Sequence, residues 1–329
     1  MRRSNAALVP TLVAAALTLA ACGSSGTARP ATTSAGGASA APAGAAPLTD
    51  GPAPAVTGAF GAKPTVDKGP SAPSPSLIAK VLSVGTGPTV VKGDSLWVDY
   101  LGQTTDGKVF DTSFGKSPFN FQVGAGRVIT GWDEGLVNQK VGSRVELVIP
   151  AAKGYGAKGA GAAIPPNATL VFVVDVLGSF NATSSASGTE VAVDDATLPK
   201  VTAQPGKKPA IVIPPGAAAP TTLIAKTLVQ GAGPAVKAGQ QLVAQYVGVV
   251  WATGKQFDAS WDRGQPAAFP IGNGSVIPGW DKSLVGVSVG SRVLLVIPPA
   301  DGYGSAGKAQ AGIKGTDDLV FVVDVLGAF

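Results

Sequence analysis

The side chains that could do chemistry in this chain are aromatic and carboxylic, because the sequence contains no histidine and a single cysteine, Cys22. Catalytic triads and histidine metal sites are therefore excluded. No Walker loop occurs, and no Gly-x-Gly-x-x-Gly lies between a strand and a helix, so we expect no cofactor and no metal. Asp111 and Asp133 could in principle act as an acid–base pair. Each, however, stands where a turn or a helix N-terminus uses an aspartate structurally.

Two stretches centred on tryptophan carry the strongest remaining signal. Residues 128–136 read VITGWDEGL, and residues 276–284 read VIPGWDKSL. In each stretch a leucine lies four positions after the tryptophan, and this spacing predicts a short helix with both side chains on one face. Such a tryptophan is either packed core or the floor of a pocket. The choice depends on the aromatic residues that accompany it.

The same aromatic set accompanies both tryptophans. Each half of the chain offers a tyrosine at the end of a strand, a Phe-Asp pair after a turn and a Gly-Tyr-Gly loop. Gathered together, these side chains would form a dry concave site with few polar groups, which is typical of a ligand pocket. A pocket lined in this way suits proline.

The elements that must position these residues come from a tandem duplication. The tetrapeptide LIAK at 77–80 returns at 223–226, and residues 170–178 return letter for letter as 319–327. Strand-like runs such as 96–101 and 144–149 dominate each unit, and one short helix is visible in each. The predicted fold class is α+β, with an antiparallel sheet wrapped on a helix in each of two domains.

The order of these motifs closely resembles FKBP-type peptidyl-prolyl cis-trans isomerases, here in a bacterial, actinobacterial-like form. The shared motifs are Tyr, Asp-Gly-Lys-x-Phe-Asp, Pro-Phe-x-Phe-x-x-Gly, Val-Ile-x-Gly-Trp, Gly-Tyr-Gly and Ile-Pro-Pro-Asn-Ala-Thr-Leu-Val-Phe. The resemblance covers about two thirds of the chain. It implies a strongly curved antiparallel sheet around one short helix and a tryptophan at the pocket base. It also implies isomerase activity on X-Pro bonds that macrolides such as rapamycin inhibit.

The resemblance assigns pocket residues in both units by position. In the first unit they are Tyr100, Phe110, Asp111, Phe119, Val128, Ile129, Trp132, Tyr155, Ile164 and Phe172. In the second unit, where they are assigned to substrate binding, they are Tyr246, Phe257, Asp258, Arg263, Val276, Ile277, Trp280, Tyr303, Ile313 and Phe321. For the two phenylalanines of the central strands, packing in the core is an equally good interpretation.

The two copies depart from the family pattern differently. In the first, the loop 112–117 lacks the arginine that usually partners the pocket aspartate, and Lys116 is a substitute with poorer geometry. In the second, Ala267 replaces the wall aromatic held by Phe119, and the flap 313–318 has a changed sequence. We therefore expect a more mobile flap in the second domain and higher activity in the first.

The N-terminus resembles that of an exported lipoprotein. Residues 1–21 are predicted to be a signal peptide, followed by Cys22 as the site of lipid attachment. Residues 22–75 are rich in Ala, Pro, Gly and Ser and are predicted to be a disordered tether, and the sequence leaves open whether residues 60–64 form an ordered preface to the first domain. The predicted domains are 76–180 and 222–329, joined by a linker over 181–221.

These features predict an extracytoplasmic isomerase anchored to the membrane by its lipid and acting on exported proline-containing polypeptides. The net charge of +5 is mild and forms no basic stripe, so no nucleic-acid partner is expected. One alternative is a chaperone or scaffold that binds proline segments without turnover, with the second domain the better candidate. Another is an envelope protein whose domains are spacers.

Overall fold

The first domain is a six-stranded antiparallel sheet packed on one short helix. The computed structural model describes residues 51–71 and 74–329. The elements up to residue 180 are β1 (Val56–Thr57), β2 (Thr65–Val66), β3 (Ile78–Ser83), β4 (Ser95–Thr104), β5 (Val109–Thr112), β6 (Phe119–Gln122), α1 (Thr130–Gly135), β7 (Arg144–Ile149) and β8 (Leu170–Phe180). The sheet order is β3-β7-β8-β4-β5, with β6 also paired to β4, while β1 and β2 form a separate hairpin.

The second domain repeats this architecture and adds one strand at an edge. Its elements are β9 (Gly188–Glu190), β10 (Lys200–Thr202), β11 (Ala210–Val212), β12 (Ile224–Gly231), β13 (Gln241–Val250), β14 (Gln256–Ala259), β15 (Ala267–Pro270), α2 (Pro278–Leu284), β16 (Arg292–Ile297) and β17 (Leu319–Ala328). The sheet order is β14-β13-β17-β16-β12-β9, with β15 paired to β13. The predicted α+β class with antiparallel sheets is confirmed.

Each helix lies directly on its sheet because glycines let the two backbones approach. A Cβ atom added to Gly131 would lie 2.5 Å from Cγ2 of Ile149, and one added to Gly135 would lie 2.6 Å from Cδ2 of Leu147. Helix α1 therefore contacts β7 closely enough to bring Trp132 into the apolar core. Alternate residues of β7 face this core, and the others face the opposite, outer side of the sheet.

A β-hairpin covers part of the outer side of each sheet. In the first domain, Val66 of the β1–β2 hairpin packs against Val148 and Val171. In the second, residues of the β10–β11 hairpin pack with Leu198 and Trp251 against the outer face of β13, β16 and β17. The covered outer face explains why all six residues of β7 and of β16 are buried.

The predicted disordered tether is therefore wrong for residues 51–71, which include the β1–β2 hairpin. The guanidinium of Arg144 donates to the carbonyl oxygens of Gly58 and Ala62, both at 2.6 Å, and these bonds fix the hairpin to the sheet. Amino-acid composition does not predict this hairpin, because the hairpin is stabilised by bonds to residues more than 80 positions away. Residues 60–64, whose order the sequence left open, form the tip of this hairpin. The linker 181–221 likewise contains β9, β10 and β11.

The predicted signal peptide, Cys22 and the tether up to residue 50 lie outside the described residues. Within the described part of the chain, no helix combines the length and the apolar character needed to cross a membrane.

Candidate functional site

In the first domain, Trp132 is the centre of an aromatic cluster. It lies in the first turn of α1 and is 4% exposed, and its ring centroid is 5.2 Å from those of Tyr100 and Phe172. Both contacts are edge-to-face, the arrangement in which the positive edge of one ring meets the negative face of another. Among the described residues the buried indole Nε1 has no hydrogen-bond partner.

The other predicted residues of the first domain surround this cluster. Phe110 packs edge-on against Phe172 at 5.5 Å, and Phe119 lies 6.1 Å from Trp132 with 41% of its surface exposed. Ile164 is buried in the same core, and the remaining aliphatic pair, Val128 and Ile129, packs against it half-buried. Tyr155 is 38% exposed. Burial, and then the nearby charge of Asp111, raise the pKa of the Tyr155 hydroxyl.

The polar edge of the first pocket is a hydrogen bond from the Tyr100 hydroxyl to Oδ2 of Asp111, at 2.5 Å. Burial, and then this bond, raise the pKa of Tyr100 well above its usual range, so the phenol stays protonated. Lys116 does not replace the missing arginine, because its Nζ donates to the carbonyl of Thr112 at 3.0 Å. In the described part of the chain, Asp111 has no ion-pair partner.

Asp133 has a structural role and is not half of an acid–base pair. Its two carboxylate oxygens accept the backbone N–H groups of Gly124 and Gly126, at 2.7 and 2.8 Å. Asp281 does the same for Gly272 and Gly274 in the second domain. Both carboxylates are occupied in holding the loop before the helix, so neither is free to transfer a proton.

The second domain forms an open cavity of about 470 Å³ over Trp280. Eight of the ten predicted residues line it: Tyr246, Phe257, Asp258, Val276, Ile277, Trp280, Tyr303 and Phe321. Phe321 is 3% exposed yet lines the cavity, so it belongs to both the core and the pocket. Ile313 is instead buried in the core behind the pocket. The indole Nε1 of Trp280 again has no partner among the described residues.

Arg263 completes a polar triad at the edge of this cavity. It donates to Oδ1 of Asp258 at 2.6 Å and to the Tyr246 hydroxyl at 2.7 Å, while that hydroxyl donates to Oδ2 of Asp258 at 2.5 Å. Burial, and then the bond to Asp258, raise the pKa of Tyr246 to about 12. Burial alone would raise the pKa of Asp258, but the bonds from Tyr246 and Arg263 outweigh it and lower that pKa.

In the second domain, Phe269 partly replaces the aromatic wall that Ala267 lacks. Along β15, Ala267 stands opposite Ala244, while in β6 Phe119 stands opposite Val98, so the predicted replacement of Phe119 holds in the register. Two positions further on, Phe269 packs edge-on against Trp280 at 5.2 Å and lines the cavity. The first domain has two such rings, because Phe121 also packs on Trp132 at 5.4 Å.

Sequence reasoning missed Phe121 and Phe269. The Phe-x-Phe spacing of residues 119–121 places Phe121 on the same face as Phe119, and Phe269 stands at the matching position of the second domain. Sequence reasoning also missed Lys308, whose ammonium lies 5.0 Å from the Tyr303 ring centroid and lines the cavity. No sequence signal distinguishes this lysine from an ordinary loop residue. The flap itself is similar in the two domains, with a bridge from Ala160 to Ile164 in the first and from Lys308 to Ile313 in the second.

Comparison with known proteins identifies the family of the two domains that carry these sites. The sequence model of the family described as FKBP-type peptidyl-prolyl cis-trans isomerase matches residues 87–177 and 233–326, which together are more than half of the chain. The chain belongs to this family. Each FKBP match contains one tryptophan-centred aromatic cluster, so the family assignment covers both sites.

Relatives of single-domain length support this membership. An FK506-binding protein of Streptomyces anulatus is 43% identical over 112 residues, which are 34% of this chain and 90% of that protein. An FK506-binding protein of Neisseria meningitidis serogroup A is 46% identical over 103 residues, which are 31% of this chain and 94% of that protein. The solved structure of AtFKBP13 is 36% identical over 31% of this chain and 91% of its own, with a TM-score of 0.30.

The side chains at the two sites are mainly aromatic and aliphatic. Across residues 51–71 and 74–329, no group of three or more His, Cys, Asp or Glu side chains could hold a metal ion. What both FKBP pockets present is an apolar floor, aromatic walls and one Tyr–Asp hydrogen bond. Such a site can bind an apolar ring.

Proposed function

We propose that the chain catalyses cis–trans isomerisation of X-Pro bonds in exported polypeptides, with the proline ring seated on the tryptophan of each pocket. The observation that carries the proposal is the cavity of about 470 Å³ with Trp280 as its floor. Its size lies within the range of small-molecule sites and exceeds what a pyrrolidine ring needs. Family members bind proline-containing substrates and macrolides, and we propose that macrolides such as rapamycin occupy the same pockets.

The mechanism follows from the chemistry of the amide bond. Rotation must cross roughly 18–20 kcal/mol because resonance is lost in the twisted state. That state has less charge separation than the planar amide, so a dry pocket favours it relative to water. A million-fold acceleration requires about 8 kcal/mol, whereas one neutral hydrogen bond contributes about 0.5–1.5 kcal/mol. Shape and desolvation therefore supply most of the effect, and Tyr155 or Tyr303 positions the substrate carbonyl.

Of the two pockets, we propose the first as the more active. Phe119 and Phe121 both pack on Trp132, whereas Phe269 is the single equivalent ring on Trp280. A more open wall excludes less water from a bound proline. Binding of proline segments without useful turnover is the alternative for the second pocket, and the small side chain of Ala267 favours it.

A matched pair of substitutions in the full chain tests the assignment. Phe110 and Phe257 occupy equivalent places, 5.5 and 5.4 Å from the central-strand phenylalanine of their domain. We expect Phe110→Ala to remove most of the isomerase activity on an Ala-Leu-Pro-Phe peptide and Phe257→Ala to remove less. Loss of all activity only in the double variant supports two working pockets. Undiminished activity in the double variant would refute the proposal.

We further propose that the enzyme acts outside the cytoplasmic membrane, held there by lipid on Cys22. Support comes from the signal-like residues 1–21 and from the position of the single cysteine immediately after them. Cys22→Ser should release the protein from the membrane fraction while leaving its isomerase activity per molecule unchanged. Retention of the variant in the membrane fraction would contradict anchoring through this residue.

A further inference from the structure

A second cavity lies on the outer face of the second domain, and the isomerase pocket does not include any of its residues. Its volume is about 940 Å³, and it separates the segment 190–203 from β12 and β16. Its apolar lining comprises Val191, Val193, Leu198, Val201, Leu228, Val229 and Leu294. We call it the outer-face cavity.

Arg292 lines the outer-face cavity and is 7% exposed. Its Nε and Nη2 donate to the two carboxylate oxygens of Asp324, both at 2.6 Å. Within the described residues no other acceptor contacts this guanidinium, so the Nη1 group and the second Nη2 hydrogen are unpartnered. No nitrogen of Arg292 is among the buried atoms that lack a partner, so these hydrogens reach solvent and are accessible to an acceptor in the cavity.

The first domain shows what such an arginine binds. Arg144 forms the same bidentate pair with Asp175, and its remaining donors bind the carbonyl oxygens of Gly58 and Ala62 in the β1–β2 hairpin. The paired aspartate accepts one backbone N–H in each domain. Gly61 donates to Asp175, and Ala186 donates to Asp324.

In the second domain no described carbonyl of the β10–β11 hairpin bonds Arg292, although the hairpin tip is anchored to the residue before Ala186, whose N–H binds Asp324. The N–H of Gly206 donates to Oγ of Ser185 at 3.0 Å, and Lys208 pairs with Asp262 at 2.7 Å. Asp324 already neutralises the charge of Arg292. The three free N–H donors, on Nη1 and Nη2, therefore suit neutral carbonyl oxygens better than a carboxylate.

The rim of the cavity selects the charge of an occupant. Glu190, Asp194 and Asp195 line it, against Lys200 and against Arg292, whose charge Asp324 neutralises. This excess of negative charge repels anions and attracts basic groups. The apolar walls in turn favour an aliphatic side chain.

We propose that the outer-face cavity binds a turn of a polypeptide through two backbone carbonyls on Arg292, with an aliphatic side chain on its walls and a lysine or arginine at its acidic rim. The β1–β2 hairpin already has these features, since it combines the two carbonyls, Val66 and Lys63. The cavity would give the second domain a client contact separate from its isomerase pocket.

A peptide copied from this hairpin provides the probe. It is a capped peptide of residues 55–66 carrying Pro64→Ala, so that it contains no proline for the catalytic pockets. The full chain is labelled on leucine methyls and arginine side chains for NMR. We expect resonances of Leu198, Leu228 and Arg292 to shift on titration, and those of Leu136 and Leu284 beside the catalytic tryptophans to stay in place.

Two charge reversals test the acidic rim without touching the buried ion pair. The same peptide with Lys63→Glu should bind roughly tenfold more weakly. The double variant Asp194→Lys and Asp195→Lys should lose a similar factor, since both aspartates are exposed. The control Asp67→Lys and Asp106→Lys changes net charge equally at exposed sites of the first domain and should bind normally.

Three outcomes would overturn the proposal. The first is the absence of any shift at Leu198, Leu228 and Arg292, which would mean that the peptide does not enter the cavity. The second is a set of shifts confined to the catalytic pockets. The third is equal binding by both peptides and by all variants. Isomerase activity is measured separately on a proline peptide, so its loss would not be mistaken for failure of this site.

Discussion

Glu146 of β7 and Leu294 of β16 occupy the same register position in the two domains, yet one is a carboxyl and the other is apolar. Each stands opposite a lysine of the neighbouring strand and a valine of the central strand. Glu146 is fully buried, and neither of its oxygens has a hydrogen-bond partner among the described residues. Burial raises its pKa to about 7, against a small opposing effect of the Lys80 charge.

Replacing Glu146 with leucine should stabilise the first domain and remove a pH dependence. The folded-state pKa lies above the unfolded value of 4.5, so stability is greatest below that value and falls as pH rises through about 7. At pH 8 we expect Glu146→Leu to add on the order of 2 kcal/mol relative to the wild type. Hydrogen exchange of peptides covering β7 across a urea gradient, at pH 5 and pH 8, measures this change.

Glu146→Gln serves as the control, because it removes the charge but keeps a polar group in the same place. It should also flatten the pH dependence while adding less stability than leucine. An unchanged difference between pH 5 and pH 8 in both variants would show that Glu146 does not titrate in this range.

Adding a methyl group to Gly102 should damage the first pocket. A Cβ atom there would lie 2.6 Å from Cε1 of Phe172 and 2.8 Å from Cε2 of Phe110, so both rings would have to move. Overpacking of this kind costs typically 1–3 kcal/mol, and we expect Gly102→Ala to lower macrolide affinity of the first pocket by roughly tenfold or more.

Gly248→Ala is the matched variant, since its Cβ would lie 2.6 Å from Cζ of Phe257 and 2.7 Å from Cε1 of Phe321. It should affect the second pocket and leave the first unchanged. Rapamycin titration of the full chain by calorimetry resolves the two sites. Normal affinity in both variants would show that the phenylalanine rings can move without weakening macrolide binding.

Activity of the second pocket should be independent of pH across the neutral range. Tyr246 has a pKa of about 12 and stays protonated at neutral pH. The pKa of Asp258 is lowered, so its carboxyl is ionised at neutral pH. We expect kcat/KM in the Phe110→Ala background to be flat between about pH 5 and 9. NMR exchange measurements on a proline peptide avoid the pH limits of a coupled protease. A bell-shaped profile centred near neutrality would instead indicate proton transfer.

Lys308 should give the second pocket a preference for acidic residues near proline. Its ammonium lines the cavity beside Tyr303, while the equivalent bridge residue of the first domain is Ala160. In the Phe110→Ala background we expect Glu-Pro peptides to be turned over about two- to fivefold faster than Lys-Pro peptides, an effect that salt screens.

Lys308→Glu should reverse this preference, and Lys314→Glu, an exposed change in the same flap, should not. A preference that survives Lys308→Glu would assign the selectivity to another group. Equal turnover of both peptides in the unmodified second pocket would show that the ammonium does not reach the substrate.

The sequence by itself determined the duplication, the α+β class, the family resemblance and most of the pocket. These depend on local patterns, such as the tryptophan and leucine spacing of α1 or the alternation along β7. Their residue types recur in a set order within each domain. The structure adds the contacts between them, such as the hydrogen bond from Tyr100 to Asp111 and the packing of Trp132 on Phe172.

Tertiary structure alone decided the features that depend on contacts between distant segments. The β1–β2 hairpin is ordered because Arg144 reaches back to Gly58 and Ala62, more than 80 residues earlier, and no local composition reports such a bond. The role of Phe269 depends on its packing across the pocket onto Trp280. Arg144 bonds two carbonyl oxygens of a hairpin, whereas Arg292 lines a cavity. The residue type is the same in both domains, so the difference comes from how each hairpin packs on its sheet.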